Sequence, residues 1–140
     1  MQTSPLVLQI PEAILERMLN HAAQEAPNEA CGLLAGEKGS LMQGEHFFPA
    51  VNQLASPVEF RMDPVEQLAL FNKIEDLGCE LLAICHSHPN GPPHPSKADL
   101  AAHLYPDVCA LILYNGDSGW GVKTFLIDPQ GATEIHTRLA

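Results

Sequence analysis

Between residues 80 and 99 the chain changes character three times, and few folds accommodate that succession. The apolar run Glu80-Leu81-Leu82-Ala83-Ile84-Cys85 passes directly into His86-Ser87-His88-Pro89. Gly91, Pro92, Pro93 and Pro95 follow, a stiff loop with one point of sharp bending. Ser96-Lys97-Ala98-Asp99 then reads as a helix start, with Ser as N-cap and Asp three residues on. A short apolar run bounded by turn residues predicts a central strand. If the strand continues through His88, alternation projects His86 and His88 to one face and Ser87 to the other. The loop can then return Asp99, on the first turn of its helix, to the same two imidazoles.

Two imidazoles and one carboxylate hold zinc with a position left for water, the arrangement of catalytic sites; structural sites are usually closed by four protein ligands. Water on such an ion has its pKa lowered toward about 7, and a nearby carboxylate can carry its proton to a leaving group. The segment itself supplies no spare acid. Glu29, after the Pro27-Asn28 turn and just before an apolar run, fits that role by pattern. Each feature alone has a plainer account: His-x-His as a surface pair, Ser96-x-x-Asp99 as a cap, Glu29 as a solvated loop acid. Their joint occurrence is what points to a metal site.

The remaining sequence predicts an α/β (α+β) domain spanning residues 1–140: a curved mixed β-sheet flanked by helices. Strands are expected over residues 6–10, 30–35, 41–49, 58–62, 80–85, 108–114, 122–127 and 132–137. Ile14, Leu15, Met18, Leu19 and Ala22 form one helical stripe behind Pro11. Asp63-Pro64-Val65-Glu66 opens a second helix, and Gly78 stops it. A third is expected over residues 96–104. Strands outnumber crossover helices, which argues against a doubly wound parallel sheet.

A net charge of -10, from 17 acidic and 7 basic residues, argues against nucleic-acid binding and anionic membrane surfaces. The N-terminal residues lack the features of a secretory leader, and no apolar run reaches membrane-span length. Cys31, Cys79, Cys85 and Cys109 form no C-x-x-C pair and read as buried thiols in a reducing cytoplasm. Cys85 beside His86 invites a nucleophile pair, but strand neighbours point to opposite faces. His94 reads as a loop residue, since a fourth ligand would exclude water. His21, His46, His103 and His136 read as isolated surface or helix-face residues, and Trp120 as packing at a hairpin edge.

Glu29 with Cys31-Gly32-Leu33-Leu34-x-Gly36, then His86-Ser87-His88-Pro89 and Ser96-x-x-Asp99, resembles the JAMM (MPN+) zinc metalloprotease family, in its compact prokaryotic form. Pro27-Asn28-Glu29-Ala30-Cys31-Gly32 and Phe60-x-Met62-Asp63-Pro64 extend the resemblance over most of the chain. It implies the cytidine-deaminase-like MPN/JAB fold, with His86, His88 and Asp99 as zinc ligands and Glu29 as general acid/base. It implies that Ser96 polarises the scissile carbonyl or holds the oxyanion. The substrate it implies is the C-terminal tail of a ubiquitin-like or sulfur-carrier protein, threaded as an extended strand beside a sheet edge. The bond is an isopeptide to lysine or a peptide bond to cysteine. RadC-type relatives typically carry Asn where this chain has Ser87. A non-catalytic MPN scaffold holding a ubiquitin-like partner is the alternative, although such scaffolds typically lack the ligands. No sequence feature sets the oligomeric state.

Overall fold

A computed structural model of the chain describes residues 6–140. The first five residues, where no secretory leader is expected, lie outside the described residues. In chain order the elements are β1 (Val7–Ile10), α1 (Glu12–Glu25), β2 (Cys31–Glu37), β3 (Leu41–Ala50), α2 (Pro64–Asp76), β4 (Glu80–His88), α3 (Lys97–Ala102), β5 (Cys109–Gly116), β6 (Gly119–Asp128) and β7 (Gly131–Leu139). Among the described residues no helix is long and apolar enough to cross a membrane.

The expected curved mixed sheet is present, and it closes on itself in the order β1-β3-β2-β4-β5-β6-β7. Closure comes from β1, which pairs in parallel with both β3 and β7. Every described strand therefore has two neighbours, although β1 covers only Leu41–Gln43 of β3 and β7 covers only Thr124–Asp128 of β6, which leaves Gly44–Ala50 and Gly119–Lys123 each paired on one side only. β4 lies between antiparallel β2 and parallel β5, with His86 opposite Cys31 on one side and Ile112 on the other.

Side-chain alternation distributes the core over both faces of the sheet. Leu34 of β2 joins Met18 and Ala22 of α1, whereas Cys31, Leu33 and Ala35 pack with Met62 and Ile74 beneath α2. In β5, Leu111 and Leu113 face the α1 side, while Ala110 and Ile112 meet Phe125, Ile127 and Leu100 of α3. Two covered faces explain why β2 is an almost unbroken run of buried residues. Its glycines are required sterically. A Cβ on Gly32 would lie 2.7 Å from the Phe47 ring and the Phe48 carbonyl, and one on Gly36 would strike the Gln43 carbonyl at the bulge.

The helix signals map onto real caps. Asp63 Oδ1 accepts from the Val65 amide at 3.2 Å, and Gly78 takes φ +71° just past the end of α2. Ser96 and Asp99 form the reciprocal capping box of α3.

Two expected elements differ. Residues 58–62 form no strand; only an isolated bridge joins Asn52 and Met62. The reason is that a side chain takes the place of a strand partner. Asn52 Nδ2 donates to the Glu59 carbonyl at 2.9 Å, and Asn52 Oδ1 accepts from the Arg61 amide at 3.0 Å. α3 ends at Ala102 rather than near residue 104, because His103 is already extended at ψ 109°. Its Nε2 lies 2.9 Å from the Tyr105 carbonyl and 2.8 Å from that of Val108, which fixes the chain leaving the helix.

Candidate metal centre

β4 runs through His88, so alternation sends Cys85 into the α1 core and turns His86 away from it. The Cys85–His86 pair is thereby ruled out. Asp99, on the first turn of α3, returns to the strand end as the capping box dictates. Its Oδ2 lies 3.1 Å from His86 Nε2 and 3.0 Å from His88 Nε2, and it also accepts from the Ser96 amide at 2.8 Å. Glu29 arrives from the start of β2, because the β2–β4 pairing carries the preceding chain alongside the imidazoles. Ligand atoms of Glu29, His86, His88 and Asp99 all lie within 4.8 Å of one another.

The donor set fits a divalent cation. His88 Nδ1 lies 2.7 Å from the Pro92 carbonyl, an acceptor only, so Nδ1 carries the hydrogen and Nε2 faces the group. Both ring nitrogens of His86 and Oε1 of Glu29 are buried without a hydrogen-bond partner. His86 Nε2 is close to Asp99 but out of line for a hydrogen bond, so the contact leaves the nitrogen unsatisfied. Buried polar atoms seldom lack partners, and here the orphans sit beside a carboxylate and a second imidazole. Around an ion bound at about 2.0–2.1 Å, tetrahedral ligand atoms are about 3.3 Å apart, close to the spacings seen.

Electrostatics separate the two carboxyls. Burial pushes Glu29 up to about 7, with the nearby Asp99 and Glu59 charges adding to the rise and His88 opposing it. Burial also acts to raise Asp99, but the two imidazoles and the Ser96 amide hold it far below the usual carboxylate range. His86 is shifted down by burial, which keeps it neutral. Burial opposes protonation of His88 as well, yet Asp99 and the Pro92 carbonyl outweigh it and raise the ring. One acid is thus held ionised and the other near its titration point at neutral pH.

A family model described as prokaryotic homologs of the JAB domain matches residues 11–125, which include all four group members. The chain belongs to this family. It is 34% identical over 111 residues to the CysO-cysteine peptidase of Mycobacterium tuberculosis, covering 79% of this chain and 75% of that one. It is 35% identical over 127 residues to a probable TtuB-protein conjugate cleaving protease of Thermus thermophilus, covering 90% and 79%. A desampylase of Haloferax volcanii is 33% identical over 103 residues, covering 72% and 73%. The solution structure of a Desulfitobacterium hafniense protein matches with TM-score 0.86 and 35% identity, over 96% of this chain and 93% of that one.

Several residues of this JAB domain carry roles that sequence reasoning missed. Ser87, fully buried, accepts from the Ala30 amide through Oγ at 2.7 Å and donates its own amide to the Ala30 carbonyl at 2.9 Å. It clamps the residue next to Glu29 onto β4. Asn52 Nδ2 donates to the Glu29 carbonyl at 3.0 Å. Phe60 stacks on His86 with ring centroids 4.6 Å apart. His103 is a half-buried helix end facing a cavity beside the group, not an isolated surface residue. Strand alternation was the one available signal for Ser87; main-chain hydrogen bonds from Asn52 and His103 leave no sequence pattern.

The remaining assignments divide. His94 is exposed in the loop, as expected, and Trp120 packs half-buried at the start of β6. Cys31, Cys85 and Cys109 are buried, but Cys79 is only half-buried, with Sγ 3.4 Å from Glu45 Oε1. Cys79 follows the Gly78 turn and packs against the margin of the core beneath α2.

Proposed function

We propose that this JAB domain is a zinc-dependent hydrolase that cleaves the amide bond at the C-terminal tail of a ubiquitin-like or sulfur-carrier protein. The convergence of Glu29, His86, His88 and Asp99 within 4.8 Å carries the assignment. The names of the relatives, a carrier–cysteine peptidase, a conjugate-cleaving protease and a desampylase, supply the substrate class. Imidazole and carboxylate donors suit zinc, with His86, His88 and Asp99 as its holders and one position open. The chemistry a bound zinc supplies is Lewis acidity, which polarises a carbonyl and acidifies a water.

The chain's own residues handle protons and orientation. Glu29, buried and titrating at about 7, takes a proton from the attacking water and delivers it to the departing amine. Ser96 Oγ accepts from the Asp99 amide at 3.1 Å, so its hydroxyl hydrogen remains free to donate to a developing oxyanion. The Pro92 carbonyl and Phe60 orient the two imidazoles. All four cysteines are free, which fits action in a reducing cytoplasm.

The test uses zinc-loaded protein with carrier–cysteine and carrier–lysine conjugates, release being followed by mass spectrometry. Release of cysteine or lysine is expected, and it should vanish in Glu29→Gln while zinc content stays near one per chain. No release from either conjugate by zinc-loaded protein would reject the substrate class.

A further inference from the structure

We infer that Arg61 selects a carboxylate on the carrier tail, so that this chain prefers tails with an acidic residue shortly before the terminal glycines. The inference rests on the hydrolase assignment above and deepens it. A cavity of about 480 Å³ opens beside the metal group, between the loop bearing Leu54 and Arg61 and the segment bearing Ala102 and Tyr105. His86 and Asp99 line it, whereas Glu29 and His88 do not. Glu29 gives its proton to the amine, so the amine side of the scissile bond belongs beside Glu29. The acyl side, which is the carrier tail, then takes the cavity. Glycines bring no side chains and fill little of a space this large, which falls in the range of ordinary ligand pockets. Residues upstream of the glycines must occupy the rest.

The cavity walls are largely apolar, and Arg61 is the sole Lys or Arg on them. The chain has 17 acidic residues against 7 basic ones, and among the described residues Lys38, Arg61 and Lys97 make no internal hydrogen bond, ion pair or cation-π contact, Arg61 alone of them lying on the cavity. Arg17 reaches the Phe47 carbonyl, Arg138 meets Gln9, Lys123 pairs with Glu134, and Lys73 lies over Phe48. The Arg61 guanidinium has no hydrogen bond or ion pair among the described residues, even with Glu59 on the same cavity. Its backbone is nevertheless fixed, because the Arg61 amide donates to Asn52 Oδ1 at 3.0 Å. An exposed, unpaired guanidinium on an anchored backbone, beside an apolar groove, matches a carboxylate in both charge and fork geometry.

The probe is a set of acetylated peptides ending in Gly-Gly-aminomethylcoumarin, with Glu, Gln or Lys at each of the three positions before the glycines. For wild type, kcat/KM at one of these positions is expected to be roughly tenfold higher for Glu than for Gln, and lower still for Lys. Arg61→Gln should bring the ratio of kcat/KM for Glu over Gln to about one, and Arg61→Glu should reverse the preference toward Lys. The inference is overturned if wild type shows no acid preference, or if Arg61→Gln slows all peptides by one factor. If no peptide or carrier conjugate is cleaved, the hydrolase assignment fails separately. Binding of fluorescein-labelled Glu and Lys peptides ending Gly-Gly then decides the point for Arg61. Tighter binding of Glu by wild type, reversed in Arg61→Glu, supports it, and equal binding overturns it.

Discussion

Asn52 Nδ2 donates to the main-chain carbonyl of Glu29 at 3.0 Å, tying the start of β2 to the loop that covers the imidazoles. The same amide group holds the Glu59 carbonyl, and its oxygen takes the amides of Leu54 and Arg61. One buried side chain thus fixes the acid, the ring that stacks on His86 and the backbone of Arg61.

Asn52→Ala leaves two carbonyls and two amides without their partners. The variant should lose about 2–4 kcal/mol of stability in urea titrations. It should also lose turnover under conditions where it remains folded, because the Glu29 backbone and the Phe60 loop are released together. Unchanged stability and turnover would show that the loop is held by other means.

Ser87→Ala removes the acceptor of the buried Ala30 amide, a bond of 2.7 Å. A cost of about 1–3 kcal/mol is expected in denaturant unfolding. Zinc content should be retained, since the ligands are untouched. Loss of zinc would place Ser87 in the ligand framework instead.

Glu29 titrates at about 7 in the folded chain against an ordinary value of 4.5. A raised carboxyl favours the folded state at low pH, and that contribution fades as pH climbs from the ordinary value through the folded one. Metal-free Glu29→Gln should therefore match wild type near pH 4 and be the more stable protein at pH 8, by up to about 3 kcal/mol. Equal stability at both pH values would mean that Glu29 is not a buried, hard-to-ionise acid.

Zinc should stabilise wild type, by about 2.7 kcal/mol when free ion is 100-fold above its dissociation constant. The shift should disappear in His86→Ala and in Asp99→Ala. It should also weaken as pH falls through the titration of His88, whose ring is raised by Asp99 and must lose a proton to bind metal. Thermal unfolding with and without zinc measures both effects.

Local signals were legible in the sequence. The run from Glu80 into His88, the Asp63 cap and the Ser96–Asp99 box all depend on neighbours a few residues away, and all three formed. The three proposed ligands, His86, His88 and Asp99, fall within one short segment, so their convergence needed only a strand, a stiff loop and a capped turn. Long-range pairing was not legible. Nothing in residues 7–10 announces that β1 bridges β3 and β7 and closes the sheet. The strand expected at residues 58–62 failed because the side chain of Asn52, seven and nine residues earlier, bonds the backbone of Glu59 and Arg61, and no strand pattern announces such a bond. Glu29 was found by pattern, yet its place beside His88 depends on β2 lying against β4, which no local feature states.

The most direct test is a crystal of the zinc-soaked protein measured at the zinc absorption edge. One anomalous peak within bonding distance of His86, His88 and Asp99, with Glu29 nearby but unbonded, is the predicted result. A peak closed by Glu29 as a fourth ligand, or no peak at this group, would contradict the account.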